Sequence, residues 1–282
     1  MKLILMQIIL AVTSSVTTCY KIKQTNSDRI VNGLNATLGQ FPFMVSLSVV
    51  DSETVNHLCG GSIITRYWSL TAAHCIDTVT EILIKFDYIK LLGNNHIVKN
   101  STQHDIDCYK IHSQFTKTAG ANDITLIKVK QPFDGAYEKI IIRPPTNFKY
   151  VTDSIVTVVG WGDLSFRGAQ SEVLKYVELR LVDDDSCRRM FDYFDSNSSI
   201  TPDAVVCAGT RAKSACQGDS GGPLIQRLKH LYQIGIVSWG TACGEFPGVY
   251  ARVTTYLGWI KKIMKQHNSN CPSKCITSHR NT

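Results

Sequence analysis

The stretch KSACQGDSGGPL, residues 213–224, contains a serine, Ser220, that lies between an acidic residue and two glycines. Glycine adopts positive φ angles at little cost, so Gly218 and Gly221 favour a tight loop around Ser220. A serine in such a loop is either an exposed nucleophile or an ordinary turn residue. Which of the two it is depends on whether the chain also supplies a base and an orienting acid.

Around this loop the chain is a succession of short apolar runs rich in Val and Ile, with Gly, Asn, Asp or Pro often between them. The runs are FMVSLSVV, EILIKF, ITLIKV, SIVTVVGW, YVELRLV, YQIGIVSW and GVYARV. Many short strands separated by turn residues indicate an all-β sandwich or barrel. Only YLGWIKKIMKQ, residues 256–266, has the i, i+3, i+4, i+7 apolar spacing that predicts a helix.

Length and composition set the broad class of the protein. The chain has 282 residues, of which 44% are hydrophobic, which suits one large or two small domains with a substantial core. The formal net charge of +7 is too mild to indicate a nucleic-acid partner. Beyond the N-terminus no stretch stays apolar for about 18 residues, so no membrane anchor is expected.

The N-terminus predicts secretion. MKLILMQIILAVTSS has one lysine, a short apolar run and then small polar residues, which is typical of a signal peptide. The following CYKIKQTNSDR is polar and has no core-forming pattern, which indicates a propeptide. The predicted organisation is a signal peptide at 1–18, a short propeptide at 19–29, a folded domain at 30–267 and a C-terminal tail at 268–282.

Ten cysteines fit the oxidising compartment that secretion implies, and most of them are expected to be paired. Three N-glycosylation sequons fit the same compartment: Asn35-Ala-Thr, Asn100-Ser-Thr and Asn197-Ser-Ser. No Cys/His spacing resembles a zinc site, and no metal or cofactor is expected.

Two further stretches supply the base and the acid that a serine nucleophile needs. LTAAHC contains His74 and NDITLIKV contains Asp123. An imidazole removes the hydroxyl proton, and a carboxylate fixes the tautomer of the imidazole and stabilises the imidazolium. The spacing alone does not show that His74, Asp123 and Ser220 meet; a fold must bring them together.

The sequence motifs around these residues resemble those of the trypsin/chymotrypsin family of serine proteases, and the resemblance covers residues 30–266. The resemblance is carried by RIVNG, LTAAHC, NDITLIKV, GWG, CQGDSGGPL and SWG followed by PGVY. It implies two six-stranded antiparallel β-barrels with a C-terminal α-helix, and an active site in the cleft between the barrels. It also implies a secreted, monomeric serine endopeptidase that acts on proteins or peptides and is open to serine protease inhibitors.

By this resemblance, Ser220 attacks the scissile carbonyl and His74 takes its proton and later protonates the leaving amine. Asp123 orients His74. The backbone N–H groups of Gly218 and Ser220 form the oxyanion hole, where negative charge develops as the carbonyl becomes tetrahedral.

Substrate preference follows from the same comparison. Ser238, Trp239 and Gly240 match the segment that supports the aspartate and pairs with the substrate backbone. Ser214 matches the floor of the primary pocket, where trypsin-like members have Asp, and Gly240 and Gly248 match its walls. A neutral, open pocket favours chymotrypsin-like cleavage after large apolar residues. Trypsin-like or elastase-like specificity is the alternative, and an inactive homologue that acts as a binding protein is another.

RIVNG resembles a zymogen activation junction. Cleavage after Arg29 by a trypsin-like protease would free the ammonium group of Ile30. The resemblance implies that this ammonium pairs with Asp219, beside the nucleophile, and orders the loop.

The resemblance also implies three disulfides: Cys59–Cys75, Cys187–Cys207 and Cys216–Cys243. The other four cysteines have no standard partner in the family. Cys108 could pair with Cys271 or Cys275. Cys19 either tethers the propeptide or is removed with the signal peptide, in which case one thiol is left over, free or intermolecular. LLGNNHIVKNSTQ, residues 91–103, corresponds to the calcium loop of trypsins but contains no acid, so no calcium site is expected.

Overall fold

The computed structural model describes residues 33–81, 88–93, 97–117, 121–194, 203–209, 213–240 and 243–267. The predicted signal peptide, the propeptide, the junction at Arg29 and Ile30, and the C-terminal tail therefore lie outside the described residues. In the described part of the chain, no helix is long and apolar enough to cross a membrane.

Six antiparallel strands form the N-terminal barrel. They are β2 (Met44–Val50), β3 (Val55–Ile63), β4 (Trp68–Thr71), β5 (Ile89–Gly93), β6 (Thr102–Ile111) and β7 (Thr125–Val129). The strand order β2-β3-β4-β7-β6-β5 closes on itself, because β5 pairs with β2. Side chains such as Val45, Leu47, Leu70 and Leu126 fill the interior and are fully buried. Closure leaves no free strand edge in this barrel.

Six further strands form the second barrel. They are β8 (Ile155–Gly160), β9 (Lys175–Val182), β10 (Val205–Gly209), β11 (Pro223–Arg227), β12 (Leu231–Trp239) and β13 (Gly248–Arg252). They pair in the order β9-β10-β13-β12-β11-β8, and β8 pairs again with β9, which closes the ring. A short strand β1 (Leu34–Asn35) is added to β9. The predicted architecture of two six-stranded antiparallel barrels is confirmed.

The two barrels meet closely at glycines. A Cβ atom on Gly60 of β3 would lie 2.9 Å from the Cα of Gly222, so side chains here would force the barrels apart. The Gly60 N–H donates to the Ser220 carbonyl at 2.7 Å, and Ser62 Oγ donates to Gln233 Oε1 at 2.6 Å. The loop that contains Ser220 is thus anchored to the barrel that contains the predicted base.

Three α-helices accompany the barrels in the described part of the chain. The predicted C-terminal helix is α3 (Val253–His267), which buries Val253, Tyr256 and Ile260 and begins three residues before the predicted start. The sequence analysis did not predict the two shorter helices, α1 (Ala73–Glu81) and α2 (Asp184–Phe194). Asp183 caps α2, since its carboxylate accepts a hydrogen bond from the Ser186 N–H at 2.8 Å.

Candidate active site

His74 and Asp123 come from different elements of the first barrel and meet at the cleft. His74 lies in the first turn of α1, and Asp123 lies two residues before the start of β7. The distance from His74 Nδ1 to Asp123 Oδ2 is 2.7 Å, and Ser238 Oγ donates to the same oxygen at 2.5 Å. Asp123 is 2% exposed. A buried carboxylate with these partners fixes the tautomer of His74 that has its proton on Nδ1. Nε2 is then free to act as a base.

The loop that contains Ser220 has both used and free backbone donors. The N–H groups of Asp219, Gly221 and Gly222 donate to the carbonyls of Cys216, Val237 and Asp219, at 3.0, 2.8 and 2.9 Å. The N–H groups of Gly218 and Ser220 donate to no acceptor among the described residues. Two unpaired N–H groups on either side of Asp219 can bind an anionic oxygen.

The same loop packs against the chain that leads to His74. Gly218 and Gly221 have φ angles of +87° and +76°. A Cβ atom on Gly221 would collide with Thr71 Oγ1 and lie 3.1 Å from the backbone nitrogen of Ala72. Glycine is therefore required both for the turn and for the close approach to the segment before α1. The structure thus brings the loop that carries Ser220 to the His74 side of the cleft.

Asp219 is a fully buried carboxylate without an ion pair to any described residue. It accepts hydrogen bonds from the N–H groups of Gly162 and Cys216, at 2.8 and 2.9 Å. Desolvation, which the two hydrogen bonds only partly offset, raises the pKa of Asp219 to about 6. A nearby cation would stabilise the ionised form of this buried carboxyl group.

A cavity of about 130 Å³ opens beside Ser220. The predicted substrate-binding residues Ser214, Ser238, Trp239, Gly240 and Gly248 all lie in its lining. The hydroxyl of Ser214 has both roles filled, since it donates to the Ala215 carbonyl and accepts from the Gly244 N–H, each at 2.7 Å. None of the described lining residues carries a charge.

Tyr250 in this cavity was missed by sequence reasoning. Its hydroxyl is buried and has no hydrogen-bond partner among the described residues. It lies 3.1 Å from where a Cβ atom on Gly248 would be, so it reaches the wall of the cavity. Burial, followed by the charge of Asp219, raises the pKa of Tyr250, so the hydroxyl stays neutral. The only sequence signal was its place in PGVY, two residues after a predicted wall glycine.

His57 is a second residue that the sequence did not single out. Its Nε2 lies 2.9 Å from the Gly218 carbonyl and its Nδ1 lies 2.5 Å from Ser46 Oγ. Its ring packs against Trp161, with the centroids 5.5 Å apart. Burial lowers the pKa of His57 to about 4, so the ring is neutral at physiological pH. His57 therefore contacts the loop of Ser220 through the Gly218 carbonyl.

Disulfides hold the edges of the site. The structure pairs Cys59 with Cys75, Cys187 with Cys207, and Cys216 with Cys243, which are the pairs that the resemblance implies. Cys108 is also disulfide-bonded, and its partner is not one of these six residues. A ring nitrogen of His74 lies within 4.8 Å of the sulfur atoms of Cys59 and Cys75, but a disulfide offers no thiolate to a metal ion.

A larger cavity of about 590 Å³ lies away from the predicted site. Its lining comes from the start of β4, from β6 and β7, and from Met264 of α3. It contains no predicted catalytic residue and no unpaired nucleophile with a base beside it. The smaller cavity at Ser220 is therefore the candidate active site.

Two of the three sequons fall on described residues, and both asparagines are exposed. Asn35 lies in β1, where its Oδ1 accepts a hydrogen bond from Lys175 Nζ, and Asn100 ends the 3₁₀ turn Val98–Asn100. Attachment of a glycan to the nitrogen of Asn35 would leave the oxygen that Lys175 uses. Asn197 lies outside the described residues.

Two closed barrels, with a histidine–aspartate pair on one side of the cleft and a serine in a glycine loop on the other, define a serine-protease type of domain. The trypsin family model matches residues 30–260, so the chain belongs to the trypsin family. The domain is thus a trypsin-family serine protease domain.

Two relatives of known name are similar over most of this chain. It is 37% identical over 250 residues to the venom peptide isomerase heavy chain of Agelenopsis aperta, which covers 83% of this chain and 100% of the relative. It is 33% identical over 238 residues to coagulation factor XI of Bos taurus, which covers 82% of this chain. The chain spans 37% of the length of that second relative.

Proposed function

We propose that the chain is a secreted serine endopeptidase that hydrolyses peptide bonds through an acyl-enzyme on Ser220. The observation that carries this proposal is the pair of free N–H groups on Gly218 and Ser220 beside the bonded pair His74–Asp123. Two free donors on a loop whose N–H groups at Asp219, Gly221 and Gly222 are already used fit an oxygen that becomes negative during the reaction.

In the proposed mechanism, His74 Nε2 takes the proton of Ser220 Oγ as the oxygen attacks the scissile carbonyl. The carbonyl oxygen becomes negative and accepts hydrogen bonds from the N–H groups of Gly218 and Ser220. His74 then gives the proton to the departing amine, which leaves an ester on Ser220. Water, activated by His74 in the same way, hydrolyses the ester. Asp123 stabilises the imidazolium in both halves of the reaction.

We propose that the residue before the scissile bond, called P1, is large and apolar or aromatic. The cavity at Ser220 has glycines at Gly240 and Gly248 and no charged lining among the described residues. An Arg or Lys side chain would lose its hydration there without gaining a carboxylate. Substrate backbone is proposed to pair with the chain at 238–240, where β12 ends.

We propose that the chain is a zymogen and that cleavage after Arg29, by a trypsin-like protease, activates it. The support is the buried carboxylate of Asp219, which has no ion pair to any described residue and whose pKa is raised to about 6. An ammonium group on Ile30 would stabilise the charged form of Asp219 and so hold the loop between Cys216 and Gly222 in place. Secretion, glycosylation at the sequons, a monomeric state and inhibition by serine protease inhibitors are proposed with it.

A second candidate function is peptide isomerisation. It is favoured by the 37% identity to a relative whose name describes a venom peptide isomerase, and which the alignment covers completely. Hydrolysis adds a water molecule to the substrate, whereas isomerisation leaves its mass unchanged, so the two are separated by the products.

The experiment incubates the chain, cut after Arg29, with peptides that have Phe, Leu or Arg at P1, and compares it with the Ser220→Ala variant. Mass spectrometry and chiral chromatography identify the products. We expect the unchanged chain to cleave the peptides and the Ser220→Ala variant not to cleave them. We also expect an organophosphonate to label Ser220. Isomerised peptide of unchanged mass would support the second candidate, and no change in any peptide would favour a binding protein.

A further inference from the structure

The peptide bond between Gln217 and Gly218 is held by a residue outside the loop of Ser220. The Gln217 carbonyl accepts a hydrogen bond from the Asp163 backbone N–H at 2.6 Å. In a trans peptide the C=O and N–H groups point in opposite directions. A partner on the Gln217 carbonyl therefore fixes where the Gly218 N–H points.

We propose that Asp163 is a positioning residue for the oxyanion hole and acts through its backbone N–H. This inference rests on the proposed function, because it takes the Gly218 N–H as an oxyanion donor. The Gly218 N–H itself has no acceptor among the described residues, so it is free for substrate. The donor that holds this peptide lies on the far side, where it cannot contact the reacting atoms.

Backbone preference does not fix this peptide. Gly218 has a φ of +87°, and glycine populates positive and negative φ about equally. Rotation of the Gln217–Gly218 peptide would put the Gln217 carbonyl where the N–H now points. An acceptor at that place would repel a developing negative oxygen instead of stabilising it. The bond from Asp163 thus selects the productive orientation from two that glycine allows.

The segment 163–170, here called the 163–170 loop, gives Asp163 its fixed place. Asp163 and Gln170 form an antiparallel bridge, and the Leu164 N–H donates to the Ala169 carbonyl at 2.9 Å. Gln170 closes over the same glycine, since its Nε2 lies 2.8 Å from where a Cβ atom on Gly218 would be. Both ends of the 163–170 loop therefore meet at Gly218.

The next peptide is held separately. His57 Nε2 lies 2.9 Å from the Gly218 carbonyl, and the Asp219 N–H donates to the Cys216 carbonyl at 3.0 Å. These two bonds orient the Gly218–Asp219 peptide. The orientation of the Gln217 carbonyl therefore still depends on its bond from Asp163. Removal of the Asp163 N–H should consequently affect one donor of the oxyanion hole and leave the primary pocket unchanged.

The test compares Asp163→Pro, which lacks the N–H, with Asp163→Ala, which keeps it and loses only the carboxylate. Both are prepared as chains cut after Arg29. Asp163→Pro is expected to lower kcat by about 10-fold to 100-fold, between the loss of one ordinary hydrogen bond and the loss of an oxyanion donor. KM and the affinity for indole, which enters only the pocket, are expected to stay within about 2-fold. Asp163→Ala is expected to keep kcat within about 3-fold of the unchanged chain.

Proline also restricts φ, so a second variant removes the N–H alone. The α-hydroxy analogue of aspartate at position 163 replaces that amide by an ester and is expected to lower kcat to the same extent. Unchanged kcat in the ester variant, or an equal fall in Asp163→Ala, would overturn the inference. If the unchanged chain hydrolyses no peptide and its Ser220 is not labelled, the proposed function itself fails, which is a different result.

Discussion

Asp123 holds His74 through both of its carboxylate oxygens. Oδ1 accepts from the His74 backbone N–H at 2.9 Å, and Oδ2 lies 2.7 Å from the ring Nδ1. One buried side chain thus fixes the first turn of α1 and also the rotation and tautomer of the histidine ring.

Asp123→Asn is therefore expected to lower kcat by about 10⁴-fold with little change in KM, because an amide favours the wrong tautomer of His74. Ser238→Ala is the milder control: it removes one hydrogen bond to Asp123 Oδ2 but leaves the carboxylate, so kcat should fall about 10-fold or less. Steady-state kinetics on one peptide substrate measure both. A kcat for Asp123→Asn within 10-fold of the unchanged chain would contradict the proposed role of Asp123.

Gly162 is expected to tolerate no side chain. A Cβ atom there would lie 2.5 Å from Asp219 Cγ, and Asp219 is fully buried and cannot move aside. Gly162→Ala should cost about 1–3 kcal/mol in the free energy of unfolding. Gly258→Ala is the matched control, since no atom lies within 4 Å of its added Cβ atom, and in the middle of α3 it should add about 0.5–1 kcal/mol. Urea unfolding of both uncut variants measures the difference, and equal effects would refute this account.

Asp219 should make the uncut chain less stable as pH rises. Its pKa is about 6 in the folded chain, against an ordinary value of 3.8, so the folded state holds the proton more tightly. Its contribution to the free energy of unfolding, about 3 kcal/mol, is fully present below about pH 4 and is lost as the pH rises through about 6. Asp219→Asn should remove this component. In the cut chain the Ile30 ammonium should also remove it. The check is urea unfolding between pH 4 and 7; identical pH dependence in Asp219→Asn would count against the prediction.

His57 should act in the opposite direction. Its pKa is lowered from 6.5 to about 4, so the folded state prefers the neutral ring. The stability it contributes is present above about pH 6.5 and is lost as pH falls towards 4. His57→Gln cannot take up a proton, so it should lose less stability over this range than the unchanged chain. Urea unfolding between pH 4 and 7, carried out in an Asp219→Asn background, separates the effect of His57 from that of Asp219. If Asp219→Asn and the double variant Asp219→Asn/His57→Gln had the same pH dependence of stability, this role of His57 would be excluded.

Local patterns predicted some of the strands but not all of them. SIVTVVGW and YVELRLV became β8 and β9, and EILIKF falls largely on residues 82–86, outside the described part. β3 was not predicted, because its second half is CGGSI, with buried glycines and a buried serine. These residues are buried because the second barrel supplies Gly222 and Gln233 as neighbours, and a single-strand periodicity contains no information about that barrel.

The candidate site divides in the same way. Ser220, Asp219 and Gly218 are adjacent in the chain, so one motif revealed all three. His57 contacts the Gly218 carbonyl across 161 residues of sequence, and the bond from Asp163 to Gln217 joins two backbones without any side chain. A backbone contact of this kind leaves no residue type to recognise, so only the structure could place it.

Ser214 gives the sharpest test of substrate class. Among the described residues its hydroxyl bonds only to backbone groups, the Ala215 carbonyl and the Gly244 N–H, and no described residue of the cavity lining carries a charge. The cut chain should hydrolyse peptides with Phe or Leu at P1 faster than those with Arg, by about 10-fold or more in kcat/KM. Ser214→Asp should bind benzamidine more tightly and cleave after Phe at least about 10-fold less well, because a buried carboxylate needs a cation. Ser214→Ala, which adds no charge, should leave the order of preference unchanged. A preference for Arg in the unchanged chain would overturn the chymotrypsin-like assignment, since no described residue of the cavity lining could then neutralise that cation.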